Sequence, residues 1–290
     1  MKNCLFQGTC TALVTPFLGG QVNYPMLEQL LKRQLDSGVQ TIVLCGTTGE
    51  SPTLSDEEKL GIFQRGKAYV GNHARIIAGT GSNRTAHAAE LSVAAERLGV
   101  DGLLVVSPYY NKSTPDGLYA HYEAIARAVH IPIIAYNVPS RTGVDIPVSV
   151  YRRLSRIPNI AGVKEASTDI TKIAKILAAC GPDFAVWSGN DDQAVAAIAV
   201  GAQGVISVTS NVAPMETQAM VSAALDGDFD TAAALNLRLL PLTEALFCEV
   251  NPIPVKAAMK MIGYDCGDCR LPLCGLQKEN QAKLEALLSR

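Results

Sequence analysis

Short apolar runs alternate with longer segments of helical period from residue 9 to about residue 208. The runs Thr9–Val14, Thr41–Leu44, Arg75–Ala78, Gly102–Val106, Ile133–Tyr136, Ile160–Lys164, Phe184–Ser188 and Gly204–Ser207 are apolar throughout and do not alternate with polar residues. Strands of that kind are buried on both faces, as parallel strands covered by helices are. The segments between them carry helix-start signals. Ser55-Asp56-Glu57-Glu58 has the spacing of a capping box, and Thr114-Pro115 and Pro147 suit first turns. Successive strands lie roughly 20 to 30 residues apart, the length of one strand–helix unit. Eight such units close most simply into a (β/α)8 TIM barrel, so the predicted class is α/β. Beyond the last strand, Met215–Leu225, Asp230–Phe247 and Pro254–Met261 read as helices, joined at Gly227-Asp228 and at Asn251-Pro252-Ile253-Pro254. The expected organisation is a barrel over residues 1–224 and a C-terminal helical appendix over 225–290. Leu235, Leu239, Leu242, Leu246 and Phe247 give the appendix more apolar surface than a solvated helix needs, which suits internal packing or a subunit interface.

One residue breaks the apolar pattern in an informative way. Lys164 ends the stretch Ile160-Ala161-Gly162-Val163-Lys164-Glu165, although a lysine normally keeps its ammonium in water. Burial there would lower its pKa and free the amine to attack a carbonyl; the alternative is a lysine that snorkels to solvent at a strand end. Other strand ends carry chemistry as well. Tyr136 closes Ile133–Tyr136 and is followed by Asn137-Val138-Pro139-Ser140-Arg141-Thr142-Gly143, and Gly46-Thr47-Thr48-Gly49-Glu50 follows Thr41–Leu44. Barrel enzymes place their chemistry at the C-terminal ends of strands. The Gly46–Gly49 turn offers N–H groups and two hydroxyls to a carboxylate, and a guanidinium at Arg141 suits bidentate capture of another. A phenol can shuttle protons only with help, which Thr47 or a second tyrosine could give. Taken singly, Tyr136 could be a core tyrosine, Arg141 a surface ion pair and Glu50 a structural salt bridge. Together, at the strand ends of one barrel, they point to a site.

Composition narrows the function classes. Hydrophobic residues make up 48% and charged residues 18%, as in a well-packed globular enzyme. Net charge is -2 with no basic run, which argues against nucleic acid as a partner. No stretch approaches the roughly 20 apolar residues of a membrane span, and Met1-Lys2-Asn3-Cys4 leads into a strand pattern, so a cytoplasmic location is expected. Neither Gly46–Glu50 nor Gly79-Thr80-Gly81-Ser82-Asn83 matches a Walker or dinucleotide loop. Of 8 cysteines only Cys266, Cys269 and Cys274 cluster, and with 4 dispersed histidines no metal site is expected. Surface-loop thiols are expected there in a reducing compartment.

The segments Gly46-Thr47-Thr48-Gly49-Glu50-Ser51, Tyr109-Tyr110-Asn111, Tyr136–Gly143 and Gly162-Val163-Lys164-Glu165 closely resemble the dihydrodipicolinate synthase family, which also holds N-acetylneuraminate lyase and sugar-acid aldolases. The likeness runs over the whole chain, including Gly189-Asn190-Asp191-Asp192 and Asn251–Lys256. The resemblance implies that Lys164 forms a Schiff base with pyruvate, whose enamine attacks L-aspartate 4-semialdehyde. The product would be 4-hydroxy-tetrahydrodipicolinate, on the diaminopimelate and lysine pathway. It further implies a proton relay of Tyr136, Thr47 and Tyr110, with Tyr110 reaching in from a neighbouring subunit of a homotetramer built as a dimer of dimers. Thr48 would bind the pyruvate carboxylate, Arg141 the carboxylate at the mouth, with Gly189 and the Ile206 carbonyl nearby. No organic cofactor and no metal are implied. Lysine-sensitive relatives bind the effector at positions matching Ser51, Leu54, Asp56, Lys59, Asn83, His87 and Tyr109, with a carboxylate where this chain has His87, so weak or absent lysine inhibition is expected. Two alternatives use the same residues differently: a sugar-acid aldolase, for which Arg141 is poorly matched, and a non-catalytic binding subunit. Among the lysines, Lys256 falls in a helical pattern and is expected to be exposed.

Overall fold

The computed structural model describes residues 4–289; Met1–Asn3 and Arg290, which fall within the expected bounds 1–224 and 225–290, lie outside the described residues. Eight parallel strands close a barrel: β1 Gly8–Ala12, β2 Thr41–Leu44, β3 Arg75–Gly79, β4 Gly102–Val106, β5 Ile133–Asn137, β6 Ile160–Glu165, β7 Ala185–Ser188 and β8 Gly204–Ser207. Each strand pairs with its sequence neighbours, and β1 pairs with both β2 and β8 to complete the ring. The predicted fold is therefore present.

Period-two alternation explains why the strands are apolar throughout. Cys10, Val43, Ile77, Leu104, Ile134, Trp187 and Ile206 pack together inside the barrel. Their sequence neighbours Ile42, Ile76, Leu103, Ile133 and Val186 instead join the core between barrel and helices. Gly162 is needed where β6 meets β7, because a Cβ there would come within 2.0 Å of the Ala185 carbonyl oxygen. Between β5 and β6 the register shifts at Ile133/Ile134, after which Tyr136 stands opposite Lys164 and Asn137 opposite Glu165.

The predicted helix starts are in place. The Ser55 hydroxyl accepts from the Glu58 N–H at 3.2 Å while the Glu58 carboxylate accepts from the Ser55 N–H at 3.0 Å. Thr114 caps the helix Pro115–Ala128, whereas Pro147 lies one residue before the helix Val148–Leu154. A hairpin, Phe17–Leu18 with Gln21–Val22, was not expected; Gly19 and Gly20 supply its two positive φ angles. Among the described residues no helix is long and apolar enough to cross a membrane.

After β8 come the helices Pro214–Leu225, Phe229–Leu246 and Ile253–Met261, and a further one, Lys278–Leu288, that the pattern did not predict. Leu239 and Ala232 share one apolar cluster with Val205 of β8 and Val221, and Leu246 joins the barrel core. Internal packing thus takes up most of the apolar excess, with Phe247 left exposed.

Two expectations are corrected. Lys256 is buried, because its helix lies over the barrel mouth and turns the amine toward the Glu50 carboxylate, 2.8 Å away. The Cys266–Cys274 segment is not uniformly at the surface: Cys266 is buried, Cys269 half-buried and Cys274 exposed. The segment folds back onto the hairpin, where the Phe17 N–H donates to the Cys266 carbonyl at 2.9 Å. All 8 cysteines are free thiols.

Candidate active site

Lys164 and Tyr136 face into the barrel from adjacent strands. Both are buried, at 5% and 6% exposure, and the lysine Nζ lies 4.5 Å from the centroid of the tyrosine ring. Lys164 is thus held inside the barrel and does not snorkel to solvent. Gly189, just after β7, leaves it room: a Cβ there would come within 3.1 Å of the Lys164 Cε and 2.6 Å of the Ala166 Cβ. Ile206 is buried on β8, in the same interior cluster as Tyr136 and Trp187.

The turn after β2 is tight and strained. The N–H groups of Gly49 and Ser51 both donate to the Gly46 carbonyl, and Cys45 and Glu50 adopt φ of 53° and 56°, a region costly for residues other than glycine. The Thr15 hydroxyl donates to the Gly49 carbonyl at 2.7 Å, and further fixation comes from the C-terminal region. Glu50 accepts from the Lys256 amine at 2.8 Å and from the Arg270 N–H at 2.9 Å, and the Thr48 hydroxyl accepts from the Asn251 Nδ2 at 3.0 Å. The Arg141 guanidinium donates to the Asn251 carbonyl at 2.9 Å, so one buried asparagine ties Thr48 to Arg141. Asn251 was visible in the sequence only as part of the Asn-Pro-Ile-Pro joint, with no role attached.

Thr47, Tyr136, Val138 and Arg141 line a cavity of about 310 Å³ that runs outward to Ser51, Lys59, His87 and Tyr109. Lys164 is not among the lining residues and sits deeper, against Tyr136. Within the chain, Tyr110 is not brought to this group: it is 92% exposed, with a φ of 70°. Beside the lining residues His87 and Lys59, the Asp56 carboxylate lies 2.7 Å from the His87 Nε2 and 3.6 Å from the Lys59 amine. Burial alone would raise the Asp56 carboxyl, but the bond and charge of His87, with Lys59, outweigh it and hold the group low. Near Lys164, burial pushes the Cys10 thiol well above its ordinary range. Burial likewise raises the Asp191 carboxyl, although the backbone N–H groups of Val208 and Thr209 and the charge of Lys164 oppose the shift. Among the described residues no group of three or more His, Cys, Asp or Glu side chains could hold a metal ion.

The sequence model of the dihydrodipicolinate synthetase family matches residues 5–290. The chain belongs to this family. A curated relative, the 4-hydroxy-tetrahydrodipicolinate synthase of Kosmotoga olearia, is 48% identical over 280 residues, which cover 96% of this chain and 95% of that protein. The crystal structure of dihydrodipicolinate synthase from Aquifex aeolicus superposes with a TM-score of 0.97 at 44% identity, covering 98% of this chain and 97% of that one. That of the enzyme from Cyanidioschyzon merolae, with lysine bound, superposes with a TM-score of 0.96 at 39% identity, covering 98% of both chains.

Proposed function

We propose that the chain is a lyase that condenses pyruvate with L-aspartate 4-semialdehyde to give 4-hydroxy-tetrahydrodipicolinate. The observation that carries this reading is the buried amine of Lys164 against the ring of Tyr136, which lines one cavity with Arg141. The Lys164 amine attacks C2 of pyruvate, and loss of water from the carbinolamine gives the imine. A proton leaves C3 to form the enamine, whose C3 attacks the aldehyde carbon of the second substrate. The amino group of that substrate then attacks the imine carbon, closes the ring and releases Lys164.

Each proton needs a carrier, and Tyr136 and Thr47 line the same cavity. Tyr110, fully out in solvent on a single chain, suits a phenol supplied to the relay of a second copy, which supports a homotetramer built from dimers. Thr48, fixed by Asn251, holds the pyruvate carboxylate near Gly189 and the Ile206 carbonyl, and Arg141 takes the carboxylate of the aldehyde substrate. The experiment is an assay of pyruvate consumption with each aldehyde partner. Turnover with L-aspartate 4-semialdehyde but not with N-acetylmannosamine or a sugar aldehyde is expected; the reverse preference would reject the assignment.

A further inference from the structure

On the reading that Lys164 and Tyr136 carry the chemistry, we propose that Glu165 and Asn137 are positioning residues, fixing from outside the barrel the separation of the two groups inside it. Each residue directly follows a reacting one, and alternation along a strand sends it to the opposite face. Outward positions nearby, such as Ala135, Val163 and Val186, are apolar members of the core. At Asn137 and Glu165 a closed polar cluster replaces them.

The Glu165 side chain is fully buried. One carboxylate oxygen accepts from the Asn137 Nδ2 and from the Ser167 N–H, both at 2.8 Å. The other accepts from the Tyr151 hydroxyl at 3.2 Å, with the Lys172 amine at 3.6 Å. Asn137 also donates to Asp145 at 2.8 Å and accepts from the Ile146 N–H at 3.0 Å, and Lys172 bonds Asp145 in turn. The Tyr151 hydroxyl, raised well above its ordinary range by burial and then by the charge of Glu165, stays a donor to that carboxylate.

Two features make this cluster more than packing. The β5–β6 register shifts at Ile133/Ile134, so pairing below that point does not by itself fix the strand tops. A slip of one residue would turn Lys164 out of the barrel, and the bond between Asn137 and Glu165 pins the pair immediately above Tyr136 and Lys164. Asn137 also holds both Asp145 and Ile146, the far end of the loop that carries Arg141. The cluster thus sets three groups of the site at once.

The test compares Glu165→Leu/Lys172→Met, which removes the carboxylate and its cation together, with Glu165→Gln, which keeps an oxygen for Asn137 and Ser167. Asn137→Ala is the second variant should the leucine pair not fold. For each, the melting temperature, the rate of pyruvate imine formation and its pH profile are measured on folded protein. Imine formation slowed at least tenfold with a displaced pH profile is expected for Glu165→Leu/Lys172→Met and Asn137→Ala, with most of the rate recovered in Glu165→Gln. A lowered melting temperature with wild-type imine kinetics and pH profile would overturn the positioning role. Failure of the wild-type chain to trap pyruvate at Lys164 would instead reject the underlying assignment of function.

Discussion

Replacing Lys256 with methionine removes one of the contacts by which the C-terminal region holds the turn after β2. The Lys256 and Glu50 side chains are 3% and 0% exposed, and their 2.8 Å contact is the cation's tie to a carboxylate otherwise bonded to the Arg270 N–H. The amine also lies 4.3 Å from the Phe17 ring centroid and donates to the Asp268 carbonyl at 3.1 Å, so methionine keeps the packing and loses the charge together with both hydrogen bonds. Removing one partner of a buried ion pair leaves an uncompensated charge and costs about 3–5 kcal/mol. For a chain of 290 residues the unfolding entropy is about 0.6 kcal/mol per degree, so the melting temperature should fall by about 5–8 °C. Glu50→Leu/Lys256→Met should recover most of that loss, because an apolar pair carries no buried charge. Since Thr47 and Thr48 belong to the same strained turn, the KM for pyruvate should rise in the single variant and fall back in the double. Calorimetry with initial rates is the assay. A single variant melting within a degree of wild type, or a double no more stable than the single, would refute the claim that this pair holds the turn.

Arg141→Ala should still form the pyruvate imine while turnover with L-aspartate 4-semialdehyde falls about thirtyfold or more, the loss of one charged partner costing roughly 2–5 kcal/mol; wild-type turnover would return the sugar-acid reading. Lysine should inhibit weakly or not at all, since Asp56 is already engaged by His87 and Lys59 and the latter repels a second ammonium; strong inhibition at sub-millimolar lysine in an initial-rate titration would contradict this. Burial lowers the pKa of His121 from 6.5 to about 4, so between those values the unfolded chain binds a proton that the folded chain does not. Stability should therefore drop by up to about 3 kcal/mol as pH falls through that window, and His121→Gln should flatten that part of a denaturation series; parallel curves for the two proteins would reject the burial account.

Strands were legible where hydropathy alone decides them, and less so where a polar contact does. All eight appear within two residues of their predicted bounds, yet β6 runs on to Glu165, whose place in the strand depends on Asn137. The hairpin at Phe17–Val22 has strands of two residues each, too short for a period to register. The helix Lys278–Leu288 buries only Leu284 and so lacks an apolar stripe. Lys164 stood out because a charge interrupted an apolar run. Lys256 did not, because its partner lies 206 residues away and a lysine in a helical pattern normally faces water. Asn251 acts through its position between Thr48 and Arg141, which only the folded chain reveals.

Peptide mass spectrometry after borohydride reduction in the presence of pyruvate reads directly which lysine forms the imine. A single reduced pyruvate adduct on Lys164, lost in Lys164→Ala, is expected. An adduct on Lys256 or Lys112, or none on the wild-type protein, would contradict it.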